Sequence, residues 1–152
     1  MARVANRRNT LVSLLLFSAV LTAIPASAQG PGVRGGISVN PDQVYLGGHY
    51  ETTALVERLH FKPNLEIGFG DDVTLVAANF EFVWKFPRPG QWGIYAGGGP
   101  AVNFYSFDRF NDTESGFNLL LGAESRRGLA FEIKLGLLDS PDVKFGVGWT
   151  FK

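Results

Sequence analysis

From Pro31 to the C-terminus, apolar side chains recur at every second position in run after run, with small or polar residues between them. The closing stretch shows the pattern most clearly. Phe145, Val147, Trp149 and Phe151 fall on one face of an extended chain, and Lys144, Gly146, Gly148, Thr150 and Lys152 on the other. A helix would scatter both sets, so the pattern predicts strands. Turn signals at 40–43, 52–57, 70–71, 87–90, 108–114, 126–128 and 138–141 divide the region into eight of them. The expected spans are 31–39, 44–52, 58–69, 72–86, 91–106, 115–125, 129–137 and 142–152. A chain that ends mid-strand on an aromatic face needs a partner strand, and closure on the first strand supplies one. The expected fold is therefore all-β, an eight-stranded antiparallel up-and-down barrel over residues 29–152.

Register tests this expectation, because hairpin partners must put their side chains on the same side. A turn at Ala54-Leu55 sets Tyr50, Gly48, Leu46 and Val44 opposite Leu59, Phe61, Pro63 and Leu65, and His49 opposite His60. Around the Pro-rich turn, Phe86, Trp84, Phe82 and Phe80 meet Trp92, Ile94, Ala96 and Gly98. Around Arg126-Arg127-Gly128, a three-residue loop with glycine at its left-handed position, Ala123, Leu121 and Leu119 meet Phe131, Ile133 and Leu135. Across the last loop Leu135, Ile133 and Phe131 meet Phe145, Val147 and Trp149. Every hairpin gives one apolar and one polar face. Which face is inside does not follow from alternation. A membrane barrel turns the apolar face to lipid and the charged one inward. A soluble, lipocalin-like barrel does the reverse, and Phe61, Phe80, Phe82, Ile133 and Phe145 would then line a cavity for a hydrophobic ligand.

The N-terminus favours the membrane alternative. Arg3, Arg7 and Arg8 precede the apolar run 11–24, which leads through Pro25 to the small-residue cleavage site Ala26-Ser27-Ala28, so residues 1–28 read as a secretory signal peptide cut at Ala26 and Ala28. No later segment reaches the ~20 apolar residues that a spanning helix needs, so any crossing is made by strands. The whole chain balances 14 basic against 14 acidic residues, and three of the arginines leave with the signal, so the exported part is mildly acidic. Nothing in that balance suggests a nucleic-acid partner. The absence of cysteine excludes disulfides and thiolate metal sites.

The spacing Lys144, Gly146, Trp149, Phe151 resembles the C-terminal assembly signal of bacterial outer-membrane barrels, with Lys152 extending one residue past the usual terminal aromatic. With the eight expected strands, the chain resembles small outer-membrane barrels of the OmpA/OmpX kind over its whole exported length. The resemblance implies a Gram-negative outer-membrane location, insertion by the barrel-assembly machinery, and lipid and lipopolysaccharide as surroundings. It also implies a periplasmic N-terminus, which makes 108–114 the longest external loop.

The candidate chemistry lies on the polar face. A four-residue turn at 40–43 sets Arg34 opposite His49, and a Gly70-Asp71 turn sets His60 opposite Glu81. These four form an expected inward row, flanked by Lys62 opposite Asn79 and Glu51 opposite Arg58. Two imidazoles with a carboxylate can make a proton-sensitive switch or bind a divalent metal. The competing and preferred reading is a structural polar plug without cofactor, because an eight-stranded lumen holds little beyond its own side chains. Arg34, Lys62 and Lys85 would pair with Glu66, Glu81, Glu124 and Glu132, so any porin-like conduction would be narrow. A lipid A-modifying enzyme would need a base beside its serine. Both histidines are expected toward the periplasmic end, whereas Ser106 and Ser115 flank the external loop. The expected role is non-catalytic, in envelope structure or surface interaction, and no motif specifies an external ligand.

Overall fold

The computed structural model describes residues 30–152. The expected signal peptide, with Ala26 and Ala28, lies outside the described residues. Eight strands follow one another: β1 (Gly30–Val39), β2 (Gln43–Glu51), β3 (Leu59–Phe69), β4 (Val73–Lys85), β5 (Trp92–Phe107), β6 (Asn111–Ser125), β7 (Leu129–Leu138) and β8 (Val143–Thr150). Each pairs antiparallel with its neighbours, and β8 closes on β1 through partners such as Val33 with Trp149 and Ile37 with Phe145. The result is a closed up-and-down barrel with no free sheet edge. The start of β1, the end of β8 and the turns at 52–58, 86–91 and 126–128 lie at one end, called here the terminal end. The other four turns form the far end.

The two walls are sorted by chemistry. Arg34, His49, Glu51, His60, Lys62, Asn64, Glu66, Asn79, Glu81, Asn103, Asn118, Glu124, Glu132, Lys134 and Lys144 are all buried in the barrel. Val33, Ile37, Leu46, Ile67, Phe80, Phe82, Ile94, Leu121, Phe131, Ile133, Phe145 and Val147 are exposed around the outside. Four residues placed by the soluble alternative in an apolar cavity, Phe80, Phe82, Ile133 and Phe145, thus belong to the outer wall. Phe61 packs against one of them, with ring centroids of Phe61 and Phe82 4.9 Å apart and the rings tilted by 36°. Among the described residues, the buried apolar cluster consists of Val83, Tyr95 and Leu120.

The β6–β7 register is the expected one, with Leu119, Leu121 and Ala123 opposite Leu135, Ile133 and Phe131. Gly128 anchors it. Its φ of 101° is left-handed, and a Cβ there would strike the Thr150 carbonyl. The other proposed hairpins keep the expected face but change partner. Arg34 pairs with Gly47 instead of His49, Lys62 with Glu81 instead of Asn79, Trp84 with Ala96 instead of Ile94, and Ile133 with Phe145 instead of Val147. In each case the chain reverses one residue away from the expected centre. This moves every partner by two and leaves the face intact. At β2–β3 the displacement is four, because the connection is longer than a two-residue turn. The Thr52 N–H donates to the Phe61 carbonyl at 3.0 Å, Thr52 Oγ1 accepts from the Phe61 N–H at 3.0 Å, and the chain reverses at Glu57 with φ 47°. His49 consequently faces Asn64 rather than His60.

The supposed long loop 108–114 is mostly strand. Asn103 pairs with Glu114, Tyr105 with Asp112 and Ser106 with Asn111, and the Phe107 N–H donates to the Phe110 carbonyl at 2.9 Å. Polar side chains at 111–114 mask the alternation without breaking the ladder. At the other end, β8 stops at Thr150, although the Phe151 N–H still donates to the Pro31 carbonyl at 2.8 Å.

Candidate functional site

The inner wall places side chains by strand parity, and the barrel's tilt then brings residues from non-adjacent strands together. At mid-height four cations meet three carboxylates. Arg34 reaches Glu132 at 2.6 Å, Glu66 at 3.4 Å and Glu81 at 3.6 Å. Lys134 reaches Glu81 at 2.6 Å and Glu66 at 3.0 Å, Lys144 reaches Glu66 at 2.6 Å, and Lys62 approaches Glu132 at 3.8 Å. Tyr95 donates its hydroxyl to Glu132 at 2.7 Å. Its ring lies under the Lys62 ammonium, 4.8 Å from the centroid, as Tyr45 lies under Lys144 at 4.9 Å. The cost of burying such charges is offset by their pairing across the lumen.

An amide relay braces this centre. Asn118 donates to Asn79, Asn79 to Asn64 and Asn64 to Glu81, each at 2.8 Å. Room for the large rings comes from facing glycines. A Cβ at Gly122 would overlap the Tyr95 ring.

A second ionic cluster fills the terminal end. Lys85 bridges Glu51 and Glu124, lying 2.8 Å from the latter, and Glu124 also receives Lys152 at 2.6 Å and Arg88 at 3.5 Å. Lys152, one residue beyond Phe151, therefore caps a buried carboxylate. Above this cluster opens a recess of about 610 Å³ lined by Glu57, Arg58, His60, Lys85, Phe86, Pro87, Arg88 and Lys152.

All six residues of the expected polar cluster face inward, but they do not assemble as one row. Arg34, Glu81 and Lys62 join the central network, and Glu51 joins the terminal cluster through Lys85. His49 Nε2 shares a hydrogen bond with Thr150 Oγ1 at 2.8 Å, and His60 Nδ1 donates to the Thr52 carbonyl at 2.9 Å. The two imidazoles are therefore committed to different partners and not to a common carboxylate. Among the described residues, no group of three histidine, aspartate or glutamate side chains is arranged to hold a metal ion. Ser106 donates to Asn111 at the far end, on the β5–β6 hairpin, while both histidines lie toward the terminal end.

Neither a family model nor a curated protein matches this chain. Its chemistry is therefore read from the barrel itself. Tyr45, Tyr95 and Thr150 are partners that charge-based reading passes over, and the ion pair of Lys152 with Glu124 joins residues that no hairpin rule relates. The parity of β2, β5 and β8 was the available signal for the first three, since each lies an even number of residues from a polar or glycine position on the inner wall.

The charges at the two ends are also sorted. Among the described residues, the far end carries Asp42, Asp71, Asp72, Asp108, Asp112, Glu114, Asp139 and Asp142 against Arg109 alone. The terminal end carries Arg58, Lys85, Arg88, Arg126, Arg127 and Lys152 against Glu51, Glu57 and Glu124. The barrel is an electrical dipole along its axis. Toward the far end the Tyr105 hydroxyl donates to the Asp139 carbonyl at 3.0 Å.

Proposed function

We propose that this chain is an exported, non-catalytic outer-membrane barrel, similar in architecture to the OmpA/OmpX kind, serving envelope structure or surface interaction. The observation that carries the reading is the polarity of its walls: ion pairs inside, aliphatic and aromatic side chains outside. A barrel dissolved in water would leave an apolar belt far larger than the few hundred Å² that soluble monomers expose. In a bilayer that belt meets lipid, and strand closure satisfies the backbone polar groups. Trp84, Phe86, Trp92, Trp149 and Phe151 gather toward the terminal end, as amphipathic rings do at a membrane interface.

In this reading residues 1–28 direct export, and the spacing Lys144, Gly146, Trp149, Phe151 is presented to the assembly machinery. The terminal end faces the periplasm and the acidic far end faces lipopolysaccharide. The crossed ion pairs act as a plug, which favours a scaffold over a wide pore. The soluble, lipocalin-like alternative needs an apolar interior, and the outward Phe80, Phe82, Ile133 and Phe145 weigh against it. Lipid A chemistry needs a base near Ser106 or Ser115, and the positions of His49 and His60 weigh against that.

Fractionation tests the proposal. The protein is expected to stay in the membrane pellet after carbonate washing and to run faster on gels before boiling than after. Recovery in the soluble periplasmic fraction would reject it.

A further inference from the structure

We propose that the recess at the terminal end is a binding site for a phosphoryl group. Four cations, Arg58, Lys85, Arg88 and Lys152, line it, and only Glu57 among its lining residues is acidic. Glu51 and Glu124, buried beneath the opening, hold Lys85, Arg88 and Lys152 without matching the full positive charge around it. Arg58 makes no ion pair among the described residues, and its carbonyl, not its guanidinium, is used by the Lys85 N–H. A cation with no carboxylate partner therefore stands at the rim of a cavity already lined by three others.

The chemistry fits a phosphoryl group better than a carboxylate. Two guanidiniums offer planar forks, two ammoniums offer point charges, and a phosphoryl group has several oxygens to accept from both. The volume of about 610 Å³ exceeds what a lone carboxylate would fill. The dipole of the barrel acts in the same direction, because far-end carboxylates repel anions while Arg126 and Arg127 extend the basic rim. The site stands at the mouth whether the outer wall meets lipid or not, so it is independent of the membrane assignment.

The phosphoryl group can belong to a soluble anion or to a lipid headgroup. Purified protein in non-ionic detergent is titrated with inorganic pyrophosphate in one arm, followed by calorimetry. In the other it is exposed to micelles containing phosphatidic acid, followed by phosphorus NMR line broadening. Binding in either arm that weakens roughly tenfold or more per arginine in Arg58→Gln and Arg88→Gln supports the site, since each removes charge-assisted hydrogen bonds. The responding arm identifies the source. Arg109→Gln, at the far end, is expected to bind as the parent does. Arg58→Gln breaks no ion pair, so its effect is not a consequence of unfolding, and gel mobility before boiling checks this. Failure of both probes to bind, or binding that survives the two terminal substitutions, overturns the proposal.

Discussion

Replacing Glu66 by glutamine removes one charge from a centre that already has four cations and three carboxylates. Glu66 receives Lys144 at 2.6 Å, Lys134 at 3.0 Å and Arg34 at 3.4 Å. Two of these keep other partners, since Lys134 retains Glu81 at 2.6 Å and Arg34 retains Glu132 at 2.6 Å. Lys144 has no second carboxylate among the described residues, so the substitution strands it. A unit pair near 4 Å at an effective dielectric constant near 20 interacts by about 4 kcal/mol, and breaking a buried pair from one side costs about 3–5 kcal/mol. Glu66→Gln is therefore expected to destabilise by about 3–5 kcal/mol. Lys144→Met should cost clearly less, because it leaves three cations with three carboxylates and a thioether that still packs on the Tyr45 ring. In the double variant the stranded cation is gone, and roughly 2 kcal/mol should be recovered relative to additivity. Urea unfolding in lipid vesicles, followed by tryptophan fluorescence and by mobility of unboiled samples, measures all corners of the cycle. Additivity within about 0.5 kcal/mol, or a Lys144→Met variant weaker than Glu66→Gln, would refute the stranded-charge reasoning.

Further expectations follow from the same geometry. Gly122→Val drives a side chain into the Tyr95 ring and should cost about 1–3 kcal/mol or block folding, read by the same unfolding assay. Gly90→Ala, with open space around the glycine, should leave stability within about 0.5 kcal/mol. In planar bilayers the protein should conduct far less than a large porin, because the paired side chains cross the lumen; porin-sized currents would show the network to be absent.

The parity of each strand was legible in the sequence, and with it the composition of both walls. Parity depends only on which alternate positions are apolar, and it survives a turn displaced by one residue. Partner identity does not survive it. At Asn40-Pro41 and at Asp71-Asp72 several residues can occupy the corner, so the centre of reversal was ambiguous and Arg34, His49, His60 and Glu81 were aligned as a row that does not form. Arg126-Arg127-Gly128 offered one left-handed position, and there the register was right. The expected β6 is shorter than the observed one because Asp112, Thr113 and Glu114 resemble a loop when seen without their partners on β5. That Arg34, Lys62 and Lys85 pair across the lumen with Glu66, Glu81, Glu124 and Glu132 was legible from parity and charge, and the structure contains those pairs; which cation meets which carboxylate was not, because Arg34 and Glu132 meet across the lumen and no hairpin rule relates β1 to β7.

The central claim is that the outer wall of this closed barrel faces lipid. The chain has no cysteine, so single nitroxide labels can be placed at Ile133, Phe145 and Val147, and collision rates with oxygen and with a water-soluble nickel chelate compared in vesicles. High oxygen and low chelate accessibility at all three is the predicted result, and free access of the chelate to them would contradict the account.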